Sequence, residues 1–327
     1  MSAFMLPMSR HRPVARLASA AALPCLLIVG AAPAVLGAQE KSRAGAASHD
    51  ARWTAVSREL GRDGEVEDGY FRVNFPRSDL TVRIGDHILA PAFELTTYMA
   101  FVPTTGGRVM VMGEIVLRED ELRAVLQEAR TQGIEMAAIH NHLVGEVPRM
   151  MYVHVMASGE PAAVARKLRA IIARSATPTG RPLEAAKGSP SAWASEIAAL
   201  GAPDELEGET AEWVFPRREP ITEGGVNVKS TGALETASEV VFQRLSSGKA
   251  ATTGEMFLLG SEVTPVTQAL AAGAIQVTAI HTHMLHESPR MFWLHWYGTG
   301  DPAALARTIR AAVGQTNSVT VRGNAHR

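Results

Sequence analysis

The feature that most constrains this chain is that it is written twice. "ARWTAVSRELG" (51–61) returns as "SAWASEIAALG" (191–201), pairing Trp53 with Trp193, Leu60 with Leu200 and Gly61 with Gly201. "NFPR" (74–77) returns as "VFPR" (214–217), "MGE" (112–114) as "TGE" (253–255), and "SGEPAAVARKLRAII" (158–172) as "TGDPAALARTIRAAV" (299–313). Between these landmarks, "AIHNHLVGEVPRMMYVH" (138–154) returns as "AIHTHMLHESPRMFWLH" (279–295). The offset is 140 or 141 throughout. Unrelated motifs would not hold a constant offset, so the unit as a whole is a tandem duplication. We read residues 51–175 and 191–316 as the two repeats and 317–327 as a C-terminal tail. Residues 176–190, inside the Pro-, Gly- and Ser-rich "SATPTGRPLEAAKGSPS" (175–191), read as the linker.

Each repeat opens with a short predicted helix around Trp53 or Trp193 and continues in extended segments, "YFRVNFP", "LTVRIGDHIL", "FELTTYMAFVP" and "RVMVMGEIVL" in the first copy. The "IGDH" and "TTGGR" joints read as hairpin turns. In "REDELRAVLQEARTQG", Leu122, Val125, Leu126 and Ala129 share a helical face, and Gly133 ends the helix. In the second copy Ser261 is the expected cap, and Pro265 lies early enough in the helix to be tolerated. Two strands joined through a Pro-Arg turn follow, then a closing helix begun by Glu160-Pro161 or Asp301-Pro302. The order strand, helix, strand, strand, helix predicts an α+β class: two tandem repeats, each a mainly antiparallel sheet with helices packed on one face.

Strand alternation predicts that Ile134, Met136, Ala138, His140 and His142 share a face, and likewise Ile275, Val277, Ala279, His281 and His283. On the return strands, His154 shares a face with Tyr152 and His295 with Trp293. A hairpin brings the third histidine back toward the first two. Three imidazoles and a turn carboxylate, Glu146 or Glu287, then form a donor set for a divalent metal ion: Zn first, with Mn, Fe and Cu as alternatives. The glutamates are candidates for ligand, for orienting a histidine, or for catalytic base. Seven of the chain's eleven histidines lie in these two windows. A metal-free histidine–carboxylate network and plain packing are the competing readings. Unpaired buried imidazoles are costly without a shared partner, which favours the metal.

Arg149 and Arg290 are expected to pair with Glu146 and Glu287 across the turn or with a chain terminus, the alternative being to grip an anionic ligand. His286 has no counterpart in the first copy, which carries Gly145. Glu114 and Glu255, each after a glycine, read as capping or surface residues. Glu94 and Glu235 align without an evident role. Methionines beside the histidines (Met136, Met150, Met151, Met284, Met291) allow copper, and core filling explains them equally well.

The ends and the composition bound the setting. Arg10, Arg12 and Arg16 precede the apolar, small-residue "LASAAALPCLLIVGAAPAVLGA", and "QEKSRAG" then turns polar. This is the pattern of a secretory signal peptide over 1–38, followed by a flexible segment at 39–50. It predicts a secreted or periplasmic protein with no stable transmembrane anchor. Cys25, the only cysteine, sits within the apolar run, which argues against lipid anchoring there. Cleavage would leave no cysteine for a disulfide, a nucleophile or a thiolate ligand. A formal charge of −1 gives no sign of a nucleic-acid-binding surface, and none is expected.

The spacing H-x-H-x3-E resembles the first cupin motif in its ligand chemistry but not in its fold context. A broader likeness covers residues 51–316. "FPRSDLTV", "MGEIVL" and both histidine segments through to "GEPAAVA" and "GDPAALA" resemble the LppY/LpqO lipoprotein-like family, a bacterial domain of unknown function. That resemblance implies an envelope protein and brings no reaction with it. The sequence reading is therefore a two-repeat protein with a His/Glu metal site in each repeat: His140, His142 and His154 in one, His281, His283 and His295 in the other. If it is an enzyme, metal-dependent hydrolysis is the simplest reaction. The alternative is a non-catalytic envelope module whose pockets hold a metal, a small molecule or a cell-envelope component.

Overall fold

The computed structural model describes residues 50–181, 186–246 and 248–320. The signal-peptide reading, Cys25, nearly all of the 39–50 segment and most of the tail lie outside the described residues. The first repeat runs α1 (Ala51–Leu60), β1 (Glu65–Glu67), β2 (Tyr70–Pro76), β3 (Arg83–Ile84), β4 (His87–Ile88), β5 (Thr96–Pro103), β6 (Val109–Arg118), α2 (Leu122–Gln132), β7 (Glu135–His140), β8 (Met150–Gly159) and α3 (Pro161–Ile172). The second runs α4 (Ala194–Leu200), β9 (Glu205–Glu207), β10 (Thr210–Phe215), β11 (Ile221–Glu223), β12 (Val226–Val228), β13 (Ser238–Arg244), β14 (Ala250–Leu259), α5 (Val263–Ala272), β15 (Gln276–His281), β16 (Glu287–Ser288), β17 (Met291–Gly300) and α6 (Pro302–Val313).

Each repeat builds a six-stranded antiparallel sheet. The orders, β1-β2-β5-β6-β8-β7 and β9-β10-β13-β14-β17-β15, match strand for strand. Local chemistry delimits the helices as the sequence suggests. The Asp50 side chain accepts from the Arg52 N–H to start α1, Glu160 and Asp301 cap α3 and α6, and Gly133 ends α2 at φ 65°. The expected Ser261 cap is not used. Glu262 directly precedes α5 without capping it, because its carboxylate is taken up by the Leu259 N–H and the Arg217 guanidinium. Among the described residues no helix is long and apolar enough to cross a membrane.

Strand β6 shows how the layers form. Val109, Val111, Ile115 and Leu117 point to a core shared with Trp53, Val125 and Leu168 of the three helices. Met110, Met112 and Val116 point the other way. There they meet residues of the second repeat: Met110 and Met112 share a cluster with Phe257 and Trp293, and Val116 shares one with Val241 and Ala251. The second repeat mirrors this, with Trp213, Met256 and Leu294 under its own helices. The helices do cover one face of each sheet, as expected. The opposite faces pack on each other, giving four layers: helices, sheet, sheet, helices. Burying both faces of each sheet explains why "VMVMGEIVL" is apolar with almost no alternation.

The "FPR" landmarks are structural. The Arg77 guanidinium is wholly buried and donates to Asp79 (2.9 Å twice), Glu121 (3.0 and 3.3 Å) and the Val116 carbonyl (2.7 Å). Arg217 repeats the arrangement with Glu219, Glu262 and the Phe257 carbonyl. Each arginine ties the end of the β2 or β10 segment to the start of a helix.

Candidate metal centre between the repeats

Each H-x-H segment leaves its strand after the first histidine. Asn141 and Thr282, the residues between the histidines, donate side-chain hydrogen bonds to the carbonyls of Leu143 (2.7 Å) and Met284 (2.6 Å). Upstream, the pairing of β7 with β8 shifts register between Met136 and Ala138, and that of β15 with β17 between Val277 and Ala279. The irregularity breaks the expected alternation. Ile134 and Met136 pack into the helix-side core, whereas Ala138 and His140 lie opposite His154 and Tyr152 on the inter-sheet face.

All six histidines therefore meet. Rings of opposite repeats stack in pairs: His140 on His281 at 3.5 Å, His142 on His295 at 3.8 Å, and His154 on His283 at 3.5 Å. The 141-residue offset exchanges the last two pairs and maps the first onto itself, so the cluster has an approximate two-fold axis between His140 and His281. The expected site in each repeat is thus one shared cluster, because the faces that carry the histidines are those on which the two sheets pack. Tyr152 backs His142 at 3.6 Å and Trp293 backs His283 at 4.2 Å.

The carboxylates that join the histidines are not the expected ones. Glu146 lies in the turn and accepts from the Met150 N–H at 3.1 Å. Glu287 accepts from the Met291 N–H at 3.2 Å and from Arg290 at 2.9 Å. Neither belongs to any His/Glu group compact enough to share an ion among the described residues. Each gives an oxygen to closing a turn that contains cis-Pro148 or cis-Pro289, and Glu287 Oε2 is buried there without a partner. Arg149 and Arg290 are exposed on those turns, away from the cluster. His286 is exposed as well, 3.6 Å from Glu135.

Glu114, Glu255, Glu94 and Glu235 take the place foreseen for Glu146 and Glu287. Glu114 Oε2 stands 3.0 Å from both His142 Nε2 and His154 Nε2, and Glu94 Oε2 stands 2.7 Å from His142 Nδ1. In the second copy, Glu255 is 3.6 Å and Glu235 3.8 Å from His283. Glu114 and Glu255 are buried rather than superficial. The glycine before each lets the neighbouring strand close in: a side chain at Gly113 would come within 2.7 Å of the Tyr98 carbonyl. Glu94 and Glu235 both hold a left-handed backbone, at φ 66° and 52°, a strained state that clusters at functional sites. Two signals pointed to these residues. One, at Glu114, is a lone carboxylate inside a strand otherwise apolar on both faces up to its last residue; the other is an unexplained glutamate kept at the same offset in both copies.

Four groups have ligand atoms mutually within 4.8 Å: Glu94–His142–His295, Glu235–His283–His154, Glu114–His140–His142 and His140–His281–His283–His295. The duplication offset exchanges the first two, and each draws on both repeats. The electrostatics leave most imidazoles neutral. Burial first, and neighbouring histidines next, push His281 down to about 2 and hold His140, His283 and His295 well below the ordinary histidine range. His142 is the exception. Burial opposes its charge, but Glu114 and Glu94 raise it to about 10. Glu114 too is opposed by burial, and His142 and His154 hold it far below the usual carboxylate range. Both ring nitrogens of His140, together with His281 Nδ1, His283 Nδ1 and His295 Nε2, are buried without a hydrogen-bond partner. A metal-free polar network would satisfy such atoms. Neutral imidazoles with free lone pairs are the form that binds metal.

Beside the cluster lies a cavity of about 250 Å³. Nine glutamates line it, with Arg72 as its single cationic side chain: Glu67, Glu205 and Glu207 near the sheet edges, Glu212 and Glu239 further in, and Glu94, Glu114, Glu235 and Glu255 next to the histidines. Burial, then neighbouring carboxylates, raise Glu212 and Glu235 to about 8. Arg72 is tied to the wall by the carbonyls of Gly232 (2.8 Å) and Ala233 (3.0 Å) and lies over the Tyr98 ring at 3.8 Å.

Comparison with known proteins leaves the chemistry open. The family described as Domain of Unknown Function (DUF1259) matches twice, over residues 54–174 and 196–315. No curated protein matches. A trimeric bacterial microcompartment shell protein, PduB, aligns over 77% of this chain and 92% of its own at 11% identity, with a TM-score of 0.21. EtuB from Clostridium kluyveri aligns over 66% and 89% at 13% identity, with a TM-score of 0.17. Likenesses this distant carry no argument about this chain.

Proposed function

This chain belongs to the Domain of Unknown Function (DUF1259) family, which it carries in two tandem copies, and on that footing we propose that it binds divalent metal ions between those copies. Glu94, His142 and His295 would hold one ion and Glu235, His283 and His154 another, with His140 and His281 between them; binding would displace the protons that His142 and Glu235 carry without metal. Two histidines and one carboxylate suit Zn, Fe, Mn or Cu. The observation that carries the reading is the set of buried, unpartnered imidazole nitrogens at the convergence of two copies of one motif.

Cation handling is favoured over turnover of an organic substrate by the cavity. Its lining is carboxylate-rich, whereas small-molecule sites are predominantly apolar with few polar groups. The basic, apolar and then polar start of the chain supports export to the envelope, as does the likeness to the LppY/LpqO lipoprotein-like family. We therefore read the protein as a non-catalytic metal-binding module of the envelope. Metal-dependent hydrolysis is the second reading, and one observation favours it: Glu255 Oε1 is buried without a partner beside the histidines, free to hold or pass a proton. A bound ion would supply Lewis acidity there.

The test is elemental analysis of protein purified without a histidine tag, before and after reloading with Zn²⁺, Mn²⁺, Fe²⁺ or Cu²⁺. One to two ions per chain are expected, lost on His154→Ala/His295→Ala, which takes one ligand from each group. A metal content that stays far below one ion per chain refutes the proposal. Loss of a measured hydrolytic activity in Glu255→Gln with metal retained would favour the second reading.

A further inference from the structure

The cavity glutamates are not scattered. On the second sheet they form a row that crosses four neighbouring strands. Glu205 on β9 is paired with Glu212 on β10. Glu212 lies opposite Val241, two residues along β13 from Glu239. Glu239 is paired with Glu255 on β14, and Glu255 with His295 on β17. Exposure falls along the row: Glu205 is exposed, Glu212 and Glu239 are half-buried, and Glu255 is 3% exposed. Adjacent strands lie roughly 4.8 Å apart, so the row carries carboxyl groups about 19 Å from the sheet edge to the histidines; burial raises all four above the ordinary carboxylate value, and an entering cation would draw them into the ionised form.

We propose that this row is the access path by which hydrated divalent cations reach the histidine cluster; the inference rests on the metal-binding reading above. Three observations support it besides the row of carboxyls. Glu255 Oε1, at the inner end, is buried without a partner and lines the cavity. The cavity is about 250 Å³; at roughly 30 Å³ per water it admits an ion with an octahedral shell of six waters, about 180 Å³. Among the described residues every group compact enough to grip an ion includes a histidine, so the outer carboxylates are spaced to pass an ion rather than to chelate one. The row is also specific to the second copy. Where it has Glu212 and Glu239, the first has Arg72 and Tyr98, and the Arg72 guanidinium is tethered to the Gly232 and Ala233 carbonyls.

The experiment measures Zn²⁺ uptake and release by metal-free full-length protein, by stopped flow against a fluorescent chelator. Glu212→Gln/Glu239→Gln should slow uptake by about 10-fold or more, the scale of electrostatic steering. Release should slow by the same factor, leaving affinity within about 2-fold, because a path residue alters the barrier and not the end state. Wild-type uptake should fall as ionic strength rises. An unchanged uptake rate overturns the path while the metal centre stands. So does a loss of affinity with unchanged release, since the residues would then be ligands. If the double variant does not fold, Glu205→Gln at the exposed edge and the wild-type salt dependence decide the matter by the same criteria. If wild-type protein takes up no Zn²⁺, the metal-binding reading falls and the path with it.

Discussion

Because Glu94–His142–His295 and Glu235–His283–His154 each draw on both repeats, Glu94 should couple to His295 across the duplication and not to His154 of its own repeat. Glu94→Gln removes a carboxylate from the first copy, and His295→Ala removes an imidazole from the second; both belong to one group. Structural zinc sites with four ligands are worth on the order of 10–16 kcal/mol, or roughly 3 kcal/mol per ligand. Either substitution alone should therefore weaken one ion by about 100-fold and leave the other in place. The double variant should do little more than the worse single change, a coupling of about 2–3 kcal/mol. Glu94→Gln with Glu235→Gln strikes both groups and should weaken both ions independently. Chelator-competition titrations read the number and affinity of the ions in each variant. The reasoning is refuted if Glu94 couples to His154 of its own repeat and not to His295.

Two further outcomes follow from the buried arginines. Arg77→Met leaves Glu121 with only the N–H groups of Arg118 and Ala176 and should cost about 3–5 kcal/mol, the usual price of stranding a buried charge; a loss under 1 kcal/mol in urea unfolding would show that the guanidinium is not a staple. Burial alone would raise the Glu121 carboxyl, but the Ala176 and Arg118 N–H groups and the Arg77 guanidinium hold it below its ordinary value. Its contribution is therefore complete above an unfolded value of about 4.3 and is lost as pH falls through the lower folded value. The stability gap between wild type and Arg77→Met should narrow on that acid limb, and a gap that widens there contradicts the assignment.

Much of this protein is legible in its sequence because local chemistry carries it. A constant offset reveals the duplication, acidic-proline and glycine punctuation delimits helices, and apolar periodicity places helices against a sheet. The six histidines stand out by type and spacing. The partner carboxylates do not, since Glu94 and Glu114 lie far from the histidines in sequence and reach them only through β6 pairing with β8 and through the left-handed backbone at Glu94. Alternation was misleading at Met136–Ala138, where one irregular residue changes the face of everything after it. Glu146 and Glu287 had the right spacing, but turn N–H groups claimed them first.

By itself, then, the sequence determined the duplication, the elements within each copy, and which six imidazoles belong to one chemistry. Only the tertiary structure decided that the two copies share it. Strand alternation states which side chains lie on a common face, not what will cover that face. Here each sheet presents a second apolar face interrupted by histidines and glutamates, and the one surface of matching shape and polarity is its own duplicate.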